Sequence, residues 1–320
     1  MRARAMGPDY NRASRSAMMR YAPTSRPNEY KRRMADPIKA IDIVVNPMTP
    51  EIMALRPAWT RGFLSGKIGR DPRDSEGVSY PRLIEMMDRA NIERSLLVAT
   101  CTGQLGLPGS WHLPYEVVAD AVQKHPDRFS GLAGLDPTEG MKGVRKFEHA
   151  VREYGFVGAH FYPHWFELAP DHAKWYPFYA KCVELDVPVQ LQVGQSLVYN
   201  PERPLRSVGR PITLDAVACD FPELKLVGIH VGIPWTEEMI AMAWKHANVY
   251  IGADAHSPKY WPQSFIHYIN TFGKDKVLFG TDYPVLDFER TRAEVEALGL
   301  REDAKRKLLR DNAVRLYKLA

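Results

Sequence analysis

The chain has 320 residues, 45% apolar and 25% charged, which excludes a disordered, collagen-like or coiled-coil protein. Mean hydropathy is −0.34 and no apolar run approaches the roughly 18 residues of a spanning helix, so a membrane partner is excluded as well. The net charge of +5 invites a nucleic-acid reading, but residues 1–36 alone carry +6 and the remaining chain −1, whereas phosphate binding needs a clustered basic patch on the folded body.

Residues 1–36 are rich in Arg, Ser and Met, have no apolar period and lack the apolar core of a secretory signal. They are expected to form a basic, flexible N-terminal arm, with 37–320 as one domain. From residue 40 onward, eight short apolar runs recur, at 40–45, 95–100, 129–135, 157–162, 187–193, 224–231, 249–253 and 277–280. Amphipathic stretches lie between most of them, at 80–90, 115–125, 141–154, 175–185, 213–220, 237–246 and 264–272, and further helices follow from 288 to 319. Short apolar strands, each followed by a helix, mark βα units on a buried parallel sheet. Eight units predict an α/β fold of the (β/α)₈ TIM-barrel type. A doubly wound open sheet is the runner-up, weakened because no glycine-rich phosphate loop follows a strand. The segment 46–79 is long for a βα connection and is expected to lie over the barrel mouth as a lid. Three scattered cysteines, Cys101, Cys182 and Cys219, without a CxxC pair, point to a reducing cytoplasm rather than a disulfide framework.

Barrel chemistry sits at the C-terminal strand ends on inward-pointing residues. Strict alternation places Asp42, Val44 and Asn46 inward on the first strand, Gly158, His160 and Tyr162 on the fourth, and Gln190, Gln192 and Gly194 on the fifth. It does the same for Gly228, His230 and Gly232 on the sixth, and for Gly280 and Asp282 on the eighth. Polar groups at the late inward position of five strands predict a site there. Trp165 and Trp235 follow two of these strand ends and suit a flat substrate. His164 and His256 are further candidates for its wall. Arg206 or Arg210, in the loop after the fifth strand, is expected to clamp a carboxylate. Asp254 is expected to orient His256 or to neutralise Lys259.

The runs LVGIHVGIPW (226–235), NVY (248–250) and VLFGTDYP (277–284), in this order, resemble the amidohydrolase-related barrel family. That family groups aminocarboxymuconate-semialdehyde-decarboxylase-like enzymes, aromatic-acid decarboxylases and lactone hydrolases. The resemblance spans residues 40–319 and implies a metal-assisted barrel enzyme that commonly forms homodimers. The metal pattern departs from the family. Its Asp-x-His-x-His opening is here Asp42, Val44 and Asn46, and its strand-five histidine is Gln192. Only His230 and Asp282 stand at matching positions. A catalytic ion keeps three protein ligands; Val44 has no donor atom, and neutral amide oxygens bind zinc weakly.

These residues therefore predict no tightly bound metal. The main reading is a hydrolase of an ester, lactone or amide bond in a small carboxylated or aromatic compound. Asp282 is its general base, a role the resemblance implies, and His230 and His160 polarise the substrate while Asn46 and Gln192 donate amide N–H groups to the oxyanion. One alternative is a decarboxylase of an aromatic or muconate-type acid, assisted by weakly bound zinc or manganese on His160, His230 and Asp282. The other is a non-catalytic binding barrel.

Overall fold

The computed structural model describes residues 37–70 and 76–319, so the expected arm at 1–36 lies outside the described residues. Eight parallel strands form one sheet: β1 (Ala40–Val45), β2 (Ile92–Ala99), β5 (Phe129–Gly134), β6 (Gly158–Phe161), β7 (Val189–Gln192), β8 (Leu226–Ile229), β9 (Val249–Ala253) and β10 (Val277–Phe279). The sheet closes where Val45 bridges Tyr283 in parallel and the Asn46 N–H donates to the Tyr283 carbonyl at 2.8 Å. Beside β2 lies an antiparallel ribbon of β3 (Cys101–Thr102) and β4 (Trp111–His112). The fold is the TIM barrel that the strand spacing predicts.

Helices alternate with the strands: α1 (Pro50–Leu55), α2 (Ala58–Gly62), α3 (Tyr80–Arg89), α4 (Tyr115–Lys124), α5 (Met141–Arg152), α6 (Pro163–Phe166) and α7 (Tyr176–Leu185). They continue as α8 (Leu214–Asp220), α9 (Thr236–Lys245), α10 (Gln263–Asn270), α11 (Phe288–Glu296), α12 (Glu302–Arg306) and α13 (Asn312–Tyr317). Their starts are encoded locally. Ser79 caps α3 and Asp287 caps α11, each accepting the backbone N–H three residues on. On α5 the buried residues are Gly143, Val144, Phe147 and Ala150, a helical stripe against the sheet.

Two apolar layers result. Alternate strand residues such as Val189, Leu191, Val249 and Ile251 pack outward against the helices. The others, including Ile41, Leu96, Leu132, Val227, Ile229 and Leu278, fill the barrel interior together with Leu316, Tyr317 and Leu319 from the C-terminal end. The last helix thus plugs the barrel from within, which makes it part of the core. Leu316→Ala is expected to lower the unfolding free energy by about 2–5 kcal/mol, and Trp244→Ala, at a residue 72% exposed, by less than about 0.5 kcal/mol. Urea unfolding checks both, and equal losses would contradict the interior assignment.

Candidate active site

Simple alternation fails on two strands, and both failures shape the site. The β1–β2 register shifts between Asp42 and Val45, and this bulge turns Ile41, Ile43 and Val44 into the interior. Asp42, expected inward, clamps the seam instead. Its Oδ1 accepts the N–H groups of Val44 at 3.1 Å and Thr281 at 3.0 Å, and its Oδ2 accepts the Thr281 hydroxyl at 2.6 Å. Burial pushes its carboxyl up to about 7. On β8 the inward residues are Val227 and Ile229, not Gly228, whose absent side chain leaves room for Met239 of α9. His230 still reaches the interior because it and Val231 have φ of 69° and 58°, which reverses the chain after Ile229. Ala255 (φ 60°) and Asp282 (φ 51°) do the same after β9 and β10. Left-handed backbone is costly for non-glycine residues and clusters at functional sites.

These turns bring His230, Asp254 and Asp282 together, with one donor atom of each within 4.8 Å of the others. The His230 N–H donates to Asp254 Oδ1 at 2.7 Å. Its ring Nε2 lies 3.5 Å from Asp254 Oδ2 and 3.6 Å from Asp282 Oδ2, too far for a hydrogen bond. Among the described residues, His230 Nε2 and Asp254 Oδ2 are buried without a hydrogen-bond partner. Burial pushes Asp282 up to about 8. Burial and the neighbouring Asp282 raise Asp254 well above the carboxylate range, while burial and His256 pull His230 below the usual imidazole value. Asn46 sets the orientation of Asp282: its Nδ2 donates to Asp282 Oδ1 at 2.9 Å and to the Tyr283 carbonyl at 3.1 Å. Its Oδ1 accepts the hydroxyls of Thr100 at 3.3 Å and Tyr162 at 3.5 Å.

A cavity of about 110 Å³ opens above this group, lined by Asn46, Gln192, Trp165, His230, His256 and Asp282. That volume approaches the ~150 Å³ of a cavity that holds one benzene ring. The segment after β1 covers it as the expected lid, contributing Arg56, Trp59, Phe63 and Leu64. Trp59 and Trp165 lie 4.9 Å apart between ring centroids. The Arg56 guanidinium sits over the Trp111 ring at 4.6 Å and donates to the Pro47 carbonyl at 3.1 Å, leaving its buried Nε without a partner among the described residues. Burial brings it down to about 10 against the opposing pull of Tyr162 and Asp282.

Several expected residues are placed elsewhere. Arg210 pairs with Glu238 and stacks on Trp235 at 5.0 Å, and neither Arg210 nor Trp235 lines the cavity. Arg203 and Arg206 are also engaged, on the Trp165 carbonyl and Glu167. His160 and His164 are fully buried, and neither lines the cavity nor joins the His230 group. Asp254, expected to orient His256 or to neutralise Lys259, instead joins His230 and Asp282. Its carboxylate faces His230, while Lys259 sits over the Tyr260 ring.

The hydrogen bonds fix opposite tautomers on the two buried histidines. Gln190 Nε2 donates to the Ile43 carbonyl at 2.8 Å and lies 2.6 Å from the Tyr317 hydroxyl, so its Oε1 faces His160 Nδ1 at 3.0 Å as an acceptor. The His160 proton therefore sits on Nδ1. His164 Nδ1 accepts the Val208 N–H at 3.0 Å, so its proton sits on Nε2. Burial pulls both rings down to about 4. Long-range ¹H–¹⁵N spectra should show both neutral at pH 7, with the proton on Nδ1 of His160 and Nε2 of His164. Each should titrate near pH 4, and a midpoint near 6.5 for either would contradict this geometry.

A barrel with ionisable side chains gathered at its strand ends is the architecture of a barrel enzyme. Residues 109–319 match the amidohydrolase family model, and the chain belongs to that family. Gamma-resorcylate decarboxylase of Polaromonas sp. is 24% identical over 287 residues, covering 74% of this chain and 87% of that protein. Among solved structures, a TIM-barrel protein of Bordetella bronchiseptica superposes with a TM-score of 0.72 at 24% identity, over 87% of this chain and 98% of its own. The 5-carboxyvanillate decarboxylase of Novosphingobium aromaticivorans, solved with manganese and 4-hydroxy-3-methoxy-5-nitrobenzoic acid, gives 0.66 at 20% identity over 88% and 96%. At these identities the solved structures share the barrel.

Proposed function

We propose that the protein is a cation-assisted decarboxylase of a hydroxylated aromatic acid. The observation that carries this reading is the buried group of His230, Asp254 and Asp282 under a cavity lined by Trp59, Phe63, Tyr162 and Trp165. Donors held about 2.0–2.1 Å from an ion stand about 3.3 Å apart in a tetrahedron, close to the 3.5 and 3.6 Å between His230 Nε2 and the two carboxylate oxygens. One imidazole and two carboxylates suit zinc or manganese. The residues fit such an ion, with Asp254 supplying the donor that Val44, Asn46 and Gln192 do not. Relatives named as decarboxylases of aromatic acids, one of them solved with manganese, add support for a lyase over the hydrolase expected from the residues alone.

A divalent ion held there supplies positive charge beside the substrate's oxygens as the bond to the carboxylate breaks. The protein supplies the rest. Trp59, Trp165 and Phe63 hold a flat ring, and the lid keeps water from it. Arg56, half-buried and with a buried Nε that has no partner among the described residues, pairs with the substrate carboxylate or phenolic oxygen. The carboxylate leaves as carbon dioxide and the ring carbon takes a proton in its place, for which Asp282 and His256 are the carriers lining the cavity.

Chelator-treated protein given manganese or zinc and a panel of hydroxybenzoates should release carbon dioxide, with turnover in D₂O placing deuterium on the ring carbon. Asp254→Asn should lower kcat/KM by about 10³-fold, equivalent to about 4 kcal/mol of transition-state stabilisation. Arg56→Met should raise KM at least about tenfold. Turnover indifferent to chelator and to Asp254→Asn, with oxygen from water entering the product, would instead establish the hydrolase.

A further inference from the structure

A second polar constellation lies on the other face of the strand-two exit. Thr100 and Thr102 line the cavity described above, and Cys101 between them points to a separate groove of about 620 Å³. The backbone register sets its neighbour. In the β3–β4 ribbon Cys101 stands directly opposite His112, so the two side chains share a face. Cys101 Sγ lies 3.0 Å from His112 Nε2. The third member comes from the end of β5, the sheet neighbour of β2. Asp136 Oδ1 accepts the Thr138 N–H at 2.7 Å and the Thr138 hydroxyl at 2.6 Å, which turns Oδ2 toward His112 Nε2 at 3.7 Å. At that length it makes no hydrogen bond.

We propose that Cys101, His112 and Asp136 form a second metal site, taking a zinc-class divalent cation and leaving one coordination position open to the groove. One donor atom of each lies within 4.8 Å of the others, all three side chains line the groove, and the set joins a soft sulfur to imidazole and carboxylate. Thiolate and carboxylate together neutralise the ion. In the metal-free chain His112 Nε2 lies 2.7 Å from the Gly103 carbonyl and carries a proton toward it. On loading, that proton moves to Nδ1 through solvent, and the thiol releases its own to solvent. Cys101 is 4% exposed and burial raises its thiol, so without an ion it is a poor nucleophile. The site is independent of the decarboxylase reading, because none of its three residues lines the catalytic cavity.

Cobalt titration of the chelator-treated full chain, followed by the sulfur-to-cobalt charge-transfer band in the near ultraviolet, tests this. Wild type, Asp282→Asn and Cys219→Ser should all develop the band. Cys101→Ser should lose it with an unchanged circular dichroism spectrum, and His112→Gln should weaken cobalt at least about tenfold. If Cys101→Ser does not fold, His112→Gln decides the matter. Absence of the band in wild type, its persistence in Cys101→Ser, its loss in Cys219→Ser or Asp282→Asn, or unchanged affinity in His112→Gln would overturn the proposal.

Discussion

Asp254 and Asp282 are buried beside the same ring nitrogen of His230, and neither is close enough to hydrogen-bond it. Removing a carboxylate from water costs several kcal/mol unless an opposite charge or good hydrogen bonds replace the lost hydration. Asp282 has Asn46 on one oxygen, and Asp254 has the His230 N–H on one oxygen. The remaining oxygens and the imidazole nitrogen face one another. A shared cation relieves that arrangement most directly, since it attracts all three donors at once. The surrounding backbone is bent to the same end: His230, Val231, Ala255 and Asp282 all adopt left-handed conformations at three successive strand exits. A β-branched valine there is especially unfavourable, and such conformations persist where the surroundings over-determine them.

The rest of the barrel reads as support for that point. Asp42 fastens β1 to the turn after β10, on which Asp282 sits. Asn46, just beyond β1, holds one Asp282 oxygen and the Tyr283 carbonyl. From below, the Tyr317 hydroxyl and the Ile43 carbonyl orient Gln190, and Gln190 orients His160. From above, the lid brings Arg56 and Trp59 over the cavity. The first strand thus serves as scaffolding for Asp282 through Asp42 and Asn46.

Most of the architecture was legible in the chain. Apolar runs separated by amphipathic stretches located all eight barrel strands, because a buried parallel strand must be apolar along its length. The family motifs led to His230 and Asp282. What failed was the assumption of unbroken alternation. A bulge in β1 and left-handed residues after β8 change which side chains enter the barrel, and both depend on closure of the sheet rather than on local pattern. Asp254, expected to orient His256 or to neutralise Lys259, faces His230 instead. Its position after a strand of matching parity was the available signal. Arg56 lay in a segment without strand register, where sequence spacing does not report direction. Arg206 and Arg210, the expected clamps after β7, are both held by protein partners.

The central claim is that His230, Asp254 and Asp282 hold a cation. A crystal structure of the protein prepared with manganese, with anomalous data collected at the manganese edge, tests it most directly. The account predicts an anomalous peak bonded to His230 Nε2 and to one carboxylate oxygen each of Asp254 and Asp282. No peak at that position, with His230 Nε2 hydrogen-bonded directly to one of the two carboxylates, would contradict it.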